Sequence, residues 1–240
     1  VYEGKSKVLY VKMVKALYGM IKASILYYNK FCTDIEGIGY KVNPYNPCVA
    51  NKMINGKQHT ITWHVDDVKS SHVDPKVNDA FHAWCEKMYG SDEIGHVTTV
   101  RGKVHDYLAM NLDYSEKNKL KVDMEYYIDN MIEEFPFQLD KQSKTPWNDK
   151  LFKVNETVKN LDEKRKAIFH TFVMKAMFLC KRARPDIELA VSFLSTRTTK
   201  PDESDWLKLL RMMSFLKATR DDILTLEASD HQILRWYVDA

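Results

Sequence analysis

Asp66 and Asp67 are adjacent carboxylates that follow a run in which apolar Ile61, Trp63 and Val65 alternate with polar Thr60, Thr62 and His64. A period of two marks a half-buried strand. The chain goes on as Val68-Lys69-Ser70-Ser71-His72-Val73, which predicts a hairpin with both carboxylates at its tip. Paired carboxylates on a rigid backbone attract a cation. Hard oxygen ligands suit Mg²⁺ or Mn²⁺, and Mg²⁺ usually takes one or two protein carboxylates while keeping waters and substrate phosphates in its shell. Two such ions about 3.5–4 Å apart would serve phosphoryl or nucleotidyl transfer. The plainer reading of the same two residues is a solvated acidic turn. A third reading is metal-dependent hydrolysis, because His59, His64, Asp66 and His72 lie close enough in sequence to hold Zn²⁺ or a mixed dimetal centre.

The elements that must position this pair are legible on both sides of it. Residues 49–54 lead into the 57–65 run through Asn55-Gly56, a dipeptide that favours a two-residue hairpin turn. Upstream, apolar spacing predicts a helix near 22–37, stopped by Gly37 and Gly39. Downstream, Asp74-Pro75 supplies an N-cap and a first-turn proline, and Val77, Phe81, Trp84 and Met88 repeat at helical spacing, which predicts an amphipathic helix over 75–89. Residues 96–126 read as strands, with a turn at 115–118, and a short helix spans 125–135 before Pro136. A polar connector covers 138–150. The last third has three helical patterns: Ile168 to Ala183, Ile187 to Leu194 and Trp206 to Leu216. Short links between them predict a compact bundle.

The whole chain has 240 residues, 45% of them hydrophobic and 29% charged, which excludes a disordered or low-complexity sequence and permits one or two real cores. The formal net charge is only +3. Its distribution says more: residues 1–60 hold nine Lys against three Asp or Glu. The basic residues of this leading segment, with Lys181, Arg182, Arg184, Arg211 and Lys217 later, could track phosphates or simply form solvated faces. Cys32, Cys48, Cys85 and Cys180 are scattered, without a Cys-x-x-Cys pair, and read as reduced, mostly buried thiols. No apolar run reaches the length of a membrane span, so the expectation is a soluble, intracellular chain without membrane association.

Several stretches together resemble one family. Trp63-His64-Val65-Asp66-Asp67 resembles the Tyr-x-Asp-Asp box of reverse transcriptases. Lys15-Ala16-Leu17-Tyr18-Gly19-Met20 looks like the Lys-Ala-Leu-Tyr-Gly-Leu stretch of copia-type retrotransposon polymerases, and Asn46-Pro47-Cys48-Val49 falls where that family has Asp-Pro-Cys-Leu. Further on, Tyr107-Leu108-Ala109-Met110-Asn111-Leu112 is similar to the segment near its primer grip. Thr145-Pro146 matches Ser-Thr-Pro, and Arg184-Pro185-Asp186-Ile187 matches Arg-Pro-Asp-Ile of the thumb. Trp236-Tyr237-Val238-Asp239-Ala240 looks like the Tyr-Ser-Asp-Ala that opens the RNase H domain. The matches run in order over nearly the whole chain.

The resemblance implies an α+β fold: a partial right-hand polymerase with a palm over 1–137, a connector and helical thumb over 138–220, and the first strand of an RNase H-like domain over 221–240. It implies RNA-directed DNA synthesis in the parent Pol polyprotein, on a primer–template with dNTPs and Mg²⁺ (or Mn²⁺). Asp66 and Asp67 would be the catalytic and metal-binding pair, and Asp239 a ligand of the RNase H metal. Tyr18, Gly19 and Lys22 would lie on the template and nucleotide side, where Tyr18 could stack on a base or pack under the turn. Lys181, Arg182 and Arg184 would meet the nucleic-acid backbone. The partners implied are the rest of the polyprotein, integrase and RNase H included, in cytoplasmic virus-like particles if the element is active. The family's other catalytic Asp is expected before residue 1, which would leave an isolated segment inactive. Departures also stand out: Ile21, Ala23 and Ser24 replace the Lys, Ser and Pro of the family, and His64 replaces Tyr. A catalytically dead, nucleic-acid-binding relic of such an element is the alternative.

Overall fold

The computed structural model describes residues 2–4, 6–10, 12, 16, 17, 19–93, 95–139, 143–154 and 157–227. The protein is α+β and divides into two compact units, Val1–Thr99 and Val100–Ala240.

The first unit begins with the short strands β1 (Tyr2–Glu3) and β2 (Ser6–Lys7), paired antiparallel. Helix α1 (Ile21–Gly37) follows, then β3 (Lys41–Val42), β4 (Val49–Ile54), β5 (Lys57–His64), β6 (Asp67–Ser71) and helix α2 (Pro75–Tyr89). The last four strands form an antiparallel sheet in the order β3-β4-β5-β6. On β5 the residues His59, Ile61 and Trp63 are buried, while Thr60, Thr62 and His64 point the other way. The buried set packs with Ala50 against Phe31 and Ile35 of α1 and Phe81 and Cys85 of α2, so both helices cover the same face. Helix α1 ends where Gly39 takes a φ of +91°, a conformation that glycine adopts without strain. Helix α2 starts as its sequence requires: the Asp74 carboxylate accepts from the Lys76 amide and Pro75 fills the first turn. Its buried face is centred on Asn78, Phe81 and Cys85. Met88, expected on that face, is 41% exposed.

The second unit contains β7 (Val104–Tyr107), β8 (Met110–Asp113), β9 (Lys119–Asp123), α3 (Glu125–Glu133), α4 (Glu163–Cys180), a 3₁₀ turn (Pro185–Ile187), α5 (Glu188–Arg197), α6 (Glu203–Ala218) and β10 (Leu224–Glu227). Its sheet runs β10-β9-β8-β7. Leu112, Val122, Met124, Ile128 and Met131 from the sheet and α3 share one core with Phe172, Leu194, Leu209 and Met213 of the three long helices. The compact units divide after Thr99, and residues 104–133 bury their apolar side chains with the bundle. Residues 224–227 join the sheet of this unit. They pair antiparallel with β9, Leu224 opposite Val122 and Glu227 opposite Lys119.

The β7–β8 turn is strained. Its two central residues, Leu108 and Ala109, have φ of +52° and +64°, a left-handed conformation that costs an ordinary L-residue about 1–2 kcal/mol. Replacing Ala109 by Gly, or Leu108-Ala109 by Asn-Gly, will therefore stabilise the chain by about 1 kcal/mol. Denaturant unfolding of the variants reads this as a raised midpoint with an unchanged slope.

Candidate metal and nucleic-acid site

The hairpin that carries the carboxylates is tighter than the sequence suggests. His64 pairs directly with Asp67, so the turn consists of Val65 and Asp66 alone. Asp66 occupies the tip, and Asp67 is the first residue of β6. Of the two turn residues only Val65 has a positive φ, +56°, the pattern of a type II′ turn, whose first central position favours Gly. A β-branched residue there is a genuine outlier, with a cost of order 1–3 kcal/mol. Both carboxylates are exposed. Among the described residues neither makes a hydrogen bond or ion pair, and both are free to take a cation.

Around the tip the two faces of the sheet differ. Asp67 lies beside His64 on the face turned away from α1 and α2, in line with Lys69 opposite Thr62 and Ser71 opposite Thr60. Farther along that face the Thr60 hydroxyl donates to Asn51 Oδ1 at 2.8 Å, and Gln58 Nε2 donates to Asn51 Oδ1 and Thr60 Oγ1, both at 3.0 Å. Burial pushes the Lys69 amine down from its ordinary value. On the helix side Tyr27 of α1 feels the Asp66 charge. Burial first, and the Asp66 charge second, push its hydroxyl up. Its ring stacks on Phe31, centroids 6.0 Å apart. Sequence reasoning missed Tyr27; the available signal was an aromatic one turn before core residue Phe31.

The other candidate residues are distributed. Gly19 has a φ of +88°, which fits its place in the turn before α1, and Lys22 is exposed in that helix's first turn. Tyr18 and Asp239 lie outside the described residues. On the second unit Lys181 pairs with Glu188 at the surface, and Arg182 lays its guanidinium 3.5 Å over the Phe178 ring. Arg184 is not available to phosphate: it is 2% exposed. Its Nε and Nη2 donate to Asp186 at 2.9 and 2.7 Å, and Nη1 and Nη2 to the Thr219 carbonyl and hydroxyl, both at 2.7 Å. It ties the turn after α4 to the end of α6.

The four-residue cluster behind the hydrolase reading is split between faces. His59 is fully buried, its Nδ1 2.5 Å from the Tyr40 hydroxyl and its Nε2 2.8 Å from the Ser70 hydroxyl. Ser70 in turn donates to Asn78 at 2.7 Å. His64 points to the opposite face. Among the described residues no three of His, Cys, Asp and Glu converge as a metal-ligand set.

No protein-family profile matches the chain, and no solved structure matches it. The retrovirus-related Pol polyprotein from transposon TNT 1-94 of Nicotiana tabacum is 25% identical over 235 residues, covering 95% of this chain. The chain spans 17% of that relative's length.

Two outcomes follow from the buried polar groups. Burial, helped by His72, holds His59 down to about 4 from an ordinary 6.5. Between those values the unfolded chain binds a proton that the folded one refuses, so stability is complete above about pH 6.5 and falls as pH drops towards 4. The loss is at most roughly 3 kcal/mol. Denaturant melts at pH 7 and 4.5 will show it, and His59→Gln will flatten the dependence. Arg184→Ala, which removes the donors to Asp186 and to the Thr219 carbonyl and hydroxyl, will cost about 2 kcal/mol by the same measurement. What the comparisons show is similarity, over nearly the whole chain, to part of a transposon's retrovirus-related Pol polyprotein.

Proposed function

We propose that the chain is part of the RNA-directed DNA polymerase of a copia-type retrotransposon, extending a primer on its template by metal-assisted nucleotidyl transfer. The observation that carries this reading is the pair of exposed, unpartnered carboxylates at a strained two-residue turn, on a sheet whose helices lie on one face. Similarity to a transposon Pol polyprotein supports it. Asp66 would be the main ligand of Mg²⁺ (or Mn²⁺) and Asp67 its support. The donor set fits: two carboxylate oxygens per side chain, open to solvent, leave positions for waters and phosphate oxygens. When bound, the metal supplies the charge that activates the attacking hydroxyl and stabilises the leaving group.

The chain's own residues would hold this arrangement. The two-residue turn at Val65 would fix where Asp66 lies. His64 sets a titratable ring beside Asp67 on the same face. The Asn51, Thr60 and Gln58 array offers donors and acceptors to a sugar–phosphate backbone, with Lys22 as a candidate cation of the same unit, while Lys181 and Arg182 are separate backbone-contact candidates on the second unit. A catalytically dead relic is the second reading, favoured by His64, Ile21, Ala23 and Ser24 standing in place of the family's residues.

Primer extension on a primed homopolymeric RNA, by a Pol polyprotein containing this segment and Mg²⁺ or Mn²⁺, separates the two. Asp66→Asn will lower incorporation about a thousandfold, roughly 4 kcal/mol of barrier, and leave primer–template binding intact. Incorporation within a few-fold of the unsubstituted protein would overturn the assignment of Asp66. Absence of incorporation by both proteins, with binding retained, would establish the relic.

A further inference from the structure

The first unit has a second concave feature at the other end of β5 from the carboxylates. A groove of about 400 Å³ runs between the β4–β5 turn, the segment after α1 and the start of α2. The length of β5, eight residues, separates the two by roughly 26 Å at 3.3 Å per residue. The floor is formed by Tyr40, Phe81 and Trp84. These rings are fixed against one another: Phe81 stacks on Trp84 with centroids 5.6 Å apart, and Tyr40 lies 6.0 Å from Phe81. No residue of the carboxylate hairpin lines the groove.

Its rim is basic. Lys52 and Lys76 line it, and Lys57, at the start of β5, is the strand partner of the lining residue Ile54. Lys52 is partly engaged, donating to the Ile38 carbonyl at 2.5 Å with its ammonium 5.5 Å from the Tyr40 ring. The one acidic lining residue, Asp74, is committed to capping α2. Among the described residues Lys57 and Lys76 have no ion pair. An apolar floor under unpaired cations complements a ligand that is acidic and carries a bulky apolar group. Tyr40 and Phe81 are each 5% exposed, so little of either ring is open to a stacked nucleic-acid base. A peptide side chain suits that shape better.

We propose that this groove docks an extended acidic peptide segment, which sets one bulky apolar side chain over Tyr40, Phe81 and Trp84 and its carboxylates against Lys57 and Lys76. The volume is in the range of ligand sites, and the interaction is independent of the proposed polymerase chemistry.

The test is fluorescence anisotropy of a fluorescein-labelled peptide, Glu-Asp-Leu-Phe-Glu-Asp, titrated with the full 240-residue chain. Binding will saturate in the micromolar range, about −8 kcal/mol or weaker, and will weaken as salt rises. Ala80→Arg, at an exposed groove position, will weaken it about tenfold or more by filling the groove. Lys57→Glu with Lys76→Glu will do the same by reversing the rim charge. Both variants must melt with the unsubstituted chain, and Lys76→Glu alone provides a milder version. No saturation below about 1 mM, equal binding by the variants, or equal binding of a peptide with Ser for Leu and Phe would each overturn the proposal. So would displacement by a single-stranded oligodeoxynucleotide that binds the groove more tightly than the peptide does.

Discussion

The register of β5 is the constraint on which the first unit depends. His59, Ile61 and Trp63 face the helices and Thr60, Thr62 and His64 face away. A slip of one residue would reverse both sets. It would bring three polar side chains under Phe31 and Phe81, expose an indole and an isoleucine, and turn the ladder that carries Asp67. Both ends of the strand resist that slip. At one end Asn55 and Gly56 take φ of +51° and +71°, the two positive values that a type I′ turn needs. At the other, only two residues separate His64 from Asp67. The strain at Val65 is tolerated because hydrophobic burial under α1 and α2 over-determines the pairing on either side of it.

Elements whose signals are local were legible in the sequence. Asp74-Pro75 marks the start of α2 because capping and a fixed proline φ act within one turn. Asn55-Gly56 marks its hairpin because the backbone angles demanded there exclude most other residues. The Asp66-Asp67 pair could be placed at a hairpin tip from alternation alone, though which Asp occupies the tip depends on register. Features set by distant partners were not legible. Nothing in Leu224-Thr225-Leu226-Glu227 announces that it will pair with 119–122, about a hundred residues earlier in the chain. Nor does anything in α3 announce that Ile128 and Met131 bury against helices that come later.

The basic residues show the same limit in electrostatic form. Arg184 looks like a phosphate contact in a linear reading, next to Lys181 and Arg182. In the fold it satisfies Asp186 and the last turn of α6, which are served by its planar fork of donors better than by any ammonium. Arg197 is used likewise, donating to Asp205 at 2.9 Å beside the Asp202–Asp205 capping box. Histidines behave in parallel: His59 lies among the residues nearest the carboxylates in sequence, yet it serves a buried Tyr40–His59–Ser70–Asn78 chain that joins strands to α2. A residue type can suggest chemistry, but burial and partners decide whether the group is available for it.

β5 is paired on both sides and is the longest strand of its sheet, with its helix-facing side chains wholly inside the core. Its amides belong to the part of the unit that opens last in native-state hydrogen exchange. The carboxylate tip is a direct continuation of that strand, closed by the pairing of His64 with Asp67. The position of Asp66 is thus tied to the most extensively paired strand of its sheet and not to a long loop.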